Sequence, residues 1–365
     1  MKQKKLIIFM PSIEGGGVEK NLFIISNYLT SKINDISLIT ISNKYKKKFN
    51  KEIRFISLKS NFWDSVGRRK KFLLSLCLLI IEILKDRKIL VLCFQGNIYC
   101  TLLCKIFGIK IIVRSNSAPE GWSQGIIKHY FFKTIFKFAD KIIVNSYEFK
   151  KRFKNKFNLE AVCIYNPLNK DEIIKKSKIQ SNIKFNKRKL NIINIGRYTD
   201  QKDHMTLLRA INLIKNKINF RLLIVGKGIK KNNLINYINS NNLKQNVQLI
   251  NFTRNPFNLM RSSDLFILTS LYEGLPNVLL EALTLKKFII STDCPTGPKE
   301  ILLNGKAGNL FRLGDYKTLS KLIIKYKKNR NKELKQIELG YKNLDRFDFD
   351  KNLKKYFMLI KEFLY

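Results

Sequence analysis

Apolar residues along this chain follow two alternating rhythms. Short unbroken runs have the length and β-branched content of buried strands. They cover residues 6–10, 37–42, 89–94, 110–114, 141–145 and 162–165. Longer stretches between them repeat apolar positions every three or four residues, as helices do; the first spans about 18–31. A second series runs through 190–195, 221–225, 247–250, 265–268 and 288–291, and a helix over 350–365 closes the chain. Strand-helix alternation of this kind predicts an α/β fold with parallel sheets covered on both faces. The polar, basic, weakly periodic segment 171–189 marks the boundary between two doubly wound domains. Ligands are then expected at the carboxyl ends of the strands, in a cleft that the two domains face.

Length agrees with two domains, since 365 residues exceed one typical domain. Charge is the unusual property: 70 Lys and Arg against 27 Asp and Glu give a formal +43. The lysines are spread widely and interrupt apolar periodicity, as solvated faces do. The alternative reading is attraction to anionic lipid or phosphorylated substrates. No motif for specific nucleic acid recognition accompanies the charge. Cysteines at 77, 93, 100, 104, 163 and 294 form no C-x-x-C pair and read as reduced core residues of a cytoplasmic protein. The run 6–10 stops at Pro11 and reads as a first strand, not a signal peptide. Residues 72–84 are nearly all apolar behind Arg68-Arg-Lys-Lys71, too short to span a bilayer, and interrupted by Glu82. They read as a helix leading into strand 89–94, or as part of a monotopic docking surface that the aromatic, basic stretch 126–138 would join.

The densest chemistry lies in Glu273-Gly-Leu-Pro-Asn-Val-Leu-Leu-Glu281. Pro276 suits the first position of a helix. Glu273 then sits in the preceding loop, and Glu281 about one and a half turns inside. Two acceptors flanking a helix N-terminus fit a ligand with hydroxyls at both ends and a diphosphate between, the layout of a nucleotide-sugar. Gly196-Arg197 follows the strand at 190–195, and Lys202 comes five residues later, so two cations share one strand end. Gly15-Gly16-Gly17 after the first strand allows a backbone to approach phosphate or sugar, or simply makes a packing turn. It is not G-x-G-x-x-G, so no dinucleotide fingerprint is present.

Taken together these motifs resemble the retaining glycosyltransferases of family 4. Gly196-Arg197 with Gln201-Lys202, Val225-Gly226-Lys-Gly228, Ser270 with Glu273-Gly-Leu-Pro-Asn277 and Glu281, and Gly297-Pro298 with Glu300-Ile301 carry the resemblance, which is strongest in the second half. It implies a glycosyltransferase-B architecture of two Rossmann-like domains. Residues 1–170 would bind the acceptor, residues 171–349 the nucleotide-sugar, and the helix 350–365 would cross back onto the first domain. Arg197 and Lys202 would contact the diphosphate, Glu281 the ribose and Glu273 the donor sugar. Amides near Leu275, Pro276, Asn277 and Val278 would add to phosphate binding beside Gly196, Gly226, Ser270 and Gly274, with Phe252 near the base. On the acceptor or sugar side stand Gly15, Gly16, Gly17, Arg114, Asn116 and Asn166, beside Asn145 and the loop containing Pro119-Glu-Gly-Trp122. The family's first-domain His has no clear counterpart in His129 or His204, and Gln95 or Asn97 stands in that place.

Cations and a helix N-terminus aimed at a departing diphosphate replace a metal, so no cofactor and no metal site are expected. Asp348-Phe-Asp350 reads as a helix cap or hinge. The expected reaction is metal-independent, retaining transfer of a hexose or N-acetylhexosamine, from a UDP-sugar before a GDP-sugar, to a lipid-linked or surface-polysaccharide glycan. Glu273 would position the sugar and not act as a covalent nucleophile. The setting would be cytoplasmic, on the inner face of an anionic membrane. Two rivals are a transferase with a soluble acceptor and a non-enzymatic basic protein bound to membrane or nucleic acid.

Overall fold

A computed structural model describes residues 4–365 except 42, 59, 61, 117–124, 182, 184 and 187. The chain divides into two units: the first joins Met1–Pro167 to Phe349–Tyr365, and the second is Leu168–Asp348.

In the first unit the chain runs β1 (Lys5–Phe9), α1 (Gly17–Thr30), β2 (Ile36–Ile39), β3 (Arg54–Ile56), α2 (Phe62–Ser65), α3 (Arg68–Lys85), β4 (Ile89–Cys93) and α4 (Asn97–Ile106). It continues through β5 (Lys110–Arg114), α5 (Ile126–Phe136), β6 (Lys141–Val144), α6 (Tyr147–Phe157) and β7 (Val162–Cys163). Among the described residues these strands form one sheet in the order β3-β2-β1-β4-β5-β6-β7, every neighbouring pair parallel. Side chains alternate across it. Leu6, Ile8 and Met10 enter a core closed by α1 and by the terminal helix, whereas Ile7 and Phe9 enter a second core closed by α3, α4 and α6. Burial on both faces explains why the strands read as unbroken apolar runs.

The second unit holds α7 (Lys170–Ser177), β8 (Leu190–Ile195), α8 (His204–Ile214), β9 (Phe220–Gly226), α9 (Lys231–Ser240), β10 (Val247–Asn251), α10 (Phe257–Ser262) and β11 (Leu265–Leu268). Then come α11 (Asn277–Thr284), β12 (Phe288–Thr292), α12 (Pro298–Ile301), β13 (Asn309–Phe311), α13 (Tyr316–Lys328) and α14 (Leu334–Lys342). Its sheet, also parallel, has the order β10-β9-β8-β11-β12-β13. Leu207 and Ile211 of α8 and Leu319 and Ile323 of α13 pack on one sheet face with Ile192, Leu222 and Ile267. The chain then re-enters the first unit as α15 (Phe349–Leu364), which lies against α1 and β4.

Two differences from the sequence pattern have local causes. The boundary segment opens with a helix, α7. Asn169 caps it by accepting from the Glu172 amide at 2.9 Å, acids fill its first turn and Lys175 and Lys176 its last, so dipole and cap stabilise a helix with only Ile173 as a buried apolar residue. Strands β3 and β13 escape the pattern because each is a three-residue sheet edge. Behind β3, Glu82 of α3 gathers Lys5, Arg54 and Lys85. Burial opposes the charge on Glu82, but these three cations outweigh it and hold the carboxyl at about 2.

Candidate active site

In the second unit the strand order reverses between β8 and β11, and the loops leaving those two strands carry the predicted donor residues. Such a switch point opens a crevice at the strand ends. The two loops are stitched together. Gln201 Nε2 donates to the Tyr272 carbonyl at 2.9 Å, the Leu271 amide to the Gln201 carbonyl at 2.8 Å, and Thr269 Oγ1 to the Lys202 carbonyl at 2.9 Å. Across this seam Lys202 Nζ pairs with Glu273 Oε1 at 2.5 Å. Both side chains are mostly shielded from water, so the pair is stronger than a surface bridge. Arg197 is exposed next to it, with no ion-pair partner among the described residues.

Glycines set the shape of the crevice. A Cβ on Gly226 would stand 2.0 Å from the Gly196 carbonyl oxygen, so the ends of β8 and β9 can meet only without side chains. Gly297, at φ +86°, would place a Cβ 2.5 Å from the Gly274 carbonyl. That contact holds the loop after β12 against the Glu273 loop, and Thr296 Oγ1 donates to the Glu273 carbonyl at 2.6 Å. Tyr198, fully buried, brings its hydroxyl within 2.9 Å of the Ile224 carbonyl and 2.8 Å of the Ile250 carbonyl, and burial pushes the phenol up to about 12.

Helix α11 opens toward this crevice with no side-chain cap and no acid in its first turn. Pro276 is extended (ψ 105°) and caps the helix, one step earlier than the first helical position expected for it. Glu281 is therefore the fifth helical residue, little more than one turn in, and is buried. Gly274, Leu275 and Pro276 are buried, while Asn277 and Val278 are partly open. Ser270 is fully buried, and its hydroxyl has no hydrogen-bond partner among the described residues. Phe252 is half exposed after β10, with the Lys227 ammonium 5.2 Å from its ring centre. The second unit thus gathers Gly196, Arg197, Lys202, Gly226, Ser270, Glu273 and the start of α11 around the strand switch. Sequence reasoning missed Thr269, Thr296 and Tyr198, which hold that arrangement; only Thr296 has a signal, its place before Gly297-Pro298.

The first unit corrects several expectations. Its strand order reverses between β1 and β4, and Ser12 N donates to Gln95 Oε1 across that point at 3.2 Å. The glycine loop sits there, and one of its amides is engaged: Glu19 accepts from Gly16 N at 2.9 Å, and also from Glu14 N at 3.3 Å just before the loop. A carboxylate of the chain itself thus caps α1 at Gly16, one of the three glycines expected to meet a phosphate or sugar. Arg114, expected on the acceptor rim, is wholly enclosed. Its Nε donates to Tyr356 Oη at 2.9 Å, its Nη2 to Asn166 Oδ1 at 2.7 Å, and its guanidinium lies 5.4 Å from the Phe94 ring centre. Asn166 and Asn116 turn inward with it, the latter donating to the Phe94 carbonyl at 2.7 Å. The cause is α15, whose Tyr356 roofs the strand ends. Asn97 donates to the Arg114 carbonyl at 3.0 Å, so both amides proposed for the missing His already hold a bond within the first unit. His129 of α5 stacks on Phe157 of α6, and His204 is buried against Tyr198. Burial, with Lys202 nearby, pushes His204 down to about 3. The loop with Pro119 and Trp122 lies outside the described residues. Asp350 falls in the first turn of α15 and Asp348 just before it.

Comparison with known proteins bears on the family and the fold. Residues 175–343 match the family model of glycosyl transferases group 1. An uncharacterized glycosyltransferase of Methanocaldococcus jannaschii is 34% identical over 306 residues, 71% of this chain and 75% of the relative. The Campylobacter jejuni N-acetylgalactosamine-N,N'-diacetylbacillosaminyl-diphospho-undecaprenol 4-alpha-N-acetylgalactosaminyltransferase is 26% identical over 227 residues, 59% of this chain and 60% of the relative. Among solved structures, Anabaena HepE in complex with UDP and glucose superposes with a TM-score of 0.79 at 16% identity, covering 98% of this chain and 99% of that one. The fold is therefore the glycosyltransferase-B type, and the chain belongs to the glycosyltransferases.

Proposed function

We propose that this enzyme transfers a hexose or N-acetylhexosamine from a UDP-sugar to a lipid-linked or surface-polysaccharide glycan, with retention and without a metal. The carrying observation is the Lys202–Glu273 pair at the β8/β11 switch point, beside the exposed Arg197 and the N-terminus of α11. As the glycosyl–phosphate bond breaks, negative charge grows on the leaving diphosphate. Lys202, Arg197 and the α11 terminus would stabilise it, the work a metal does elsewhere. Glu273 would hold the sugar in register with that leaving group. A phosphate oxygen would take the acceptor's proton, so no protein base is needed. Glu281 would accept from the ribose hydroxyls, and Phe252 would flank the base. Support for UDP and for a glycan acceptor comes from the HepE complex and the C. jejuni relative respectively.

Thermal shift against a panel of nucleotide-sugars tests the donor, because a ligand that prefers the native state raises Tm. A selective rise with one UDP-sugar, lost in Glu281→Ala, is expected. Equal shifts for every nucleotide, or an undiminished shift in that variant, would remove the donor assignment.

A further inference from the structure

Helices α3, α4 and α5 lie side by side on one face of the first sheet, α4 touching both neighbours. Each buries one apolar stripe on the sheet, and each carries a second, exposed stripe that the described residues leave uncovered. On α3 it follows Leu73, Cys77, Ile81 and Leu84. On α4 it follows Tyr99, Leu102 and Ile106, and on α5 Ile127, Tyr130 and Phe131. These are helical spacings, so each set occupies one outward face. Exposure reaches 70% at Ile106, 77% at Ile126 and 87% at Ile127. A helix apolar all round is ordinarily enclosed, and three such neighbours exceed the scattered exposed residues of a water-facing surface.

The charges interleaved with these stripes have one sign. Helices α4 and α5 contain Lys105, Lys128 and Lys133 and no acid. Helix α3 begins with Arg68-Arg-Lys-Lys71, and its sole acid, Glu82, is buried under its three cations. Lys105 reaches across to within 5.4 Å of the Phe138 ring centre, so cations and aromatics occupy the same patch. No helix among the described residues is long and apolar enough to cross a membrane. An apolar face studded only with cations suits the boundary between anionic headgroups and acyl chains, where lysines snorkel and rings insert.

We infer that the outer face of α3, α4 and α5 is the surface by which this enzyme lies on an anionic lipid bilayer. It rests on the lipid-linked-acceptor reading for its purpose, while the binding itself can be measured without donor or acceptor. The test is flotation of the purified full chain with vesicles of phosphatidylcholine carrying one-third phosphatidylglycerol. Binding is expected to these and to fall at least about tenfold on pure phosphatidylcholine, on raising the salt, and in the Ile127→Glu/Phe131→Glu variant. Circular dichroism and the nucleotide-sugar thermal shift should be unchanged in that variant, which separates loss of docking from loss of fold or donor site. Equal flotation on neutral vesicles, or no effect of the double substitution, overturns the inference. So does a concentration-dependent dimer in gel filtration that the double substitution abolishes, since a second copy would then cover the face.

Discussion

Lys202 and Glu273 are partners of one another across the seam between two loops. The cation proposed for the diphosphate and the acid proposed for the sugar therefore share one interaction, and a donor must reorganise both at once. Lys202→Met removes the cation and strands a shielded carboxylate. Steady-state kinetics with the donor identified by thermal shift should show kcat/KM lower by about 10²–10³. Stability should fall by about 1–3 kcal/mol. Lys202→Arg should recover stability more fully than rate, because a guanidinium refits the carboxylate but not the same point in space. A variant that loses stability and keeps its rate would make the pair purely structural.

Gly226→Ala puts a methyl group where the Gly196 carbonyl lies 2.0 Å away, and backbone rather than a flexible side chain must yield. The ends of β8 and β9 would part, with a loss of about 1–3 kcal/mol and a weaker nucleotide-sugar shift. Gly67→Ala is the control: nothing stands within 4 Å of its Cβ, and its backbone is open to any residue. Denaturant titration of both variants makes the comparison.

His204 supplies a pH signature. Its folded value of about 3 lies below the ordinary 6.5, so the unfolded chain binds a proton that the native protein refuses. Stability from this group is full above pH 6.5 and declines as pH falls toward 3, by up to about 1.4 kcal/mol per pH unit. Glu82, shifted from 4.5 to about 2, adds a loss of the same sign only below 4.5. Between pH 6.5 and 4.5 the slope belongs mainly to His204, and His204→Phe should flatten it in urea titrations.

Arg114→Gln should lower Tm while leaving KM for the donor and the acceptor unchanged. Its partners are Tyr356 and Asn166, inside the first unit. A rise in acceptor KM without a change in Tm would return Arg114 to the rim.

The contrast between Lys202 and Arg114 shows what a sequence reveals here. The place of Lys202 was legible because a local pattern of strand, glycine, short turn and helix sets it at the end of β8; its partner Glu273, 71 positions on, was not. Strands buried on both faces, such as β8 and β11, announce themselves by composition alone. Arg114 also ends a strand, but its surroundings are decided by Tyr356, 242 positions away, and no local rhythm encodes that neighbour. The same holds for Gly16, whose freedom to meet a ligand was forfeited to the Glu19 carboxylate. Short edges such as β3 and β13 are silent for a different reason, having too few residues to establish a period.

Helix α15 returns to the first unit after the whole second unit has been traversed, bringing Leu353, Tyr356, Ile360 and Leu364 into its core. On the ribosome, the half synthesised first is thus finished last. The second unit can close while the first still shows bare apolar surface beside β1 and α1. Clipping the chain within its final two dozen residues would then uncover a core at the opposite end of the sequence from the cut.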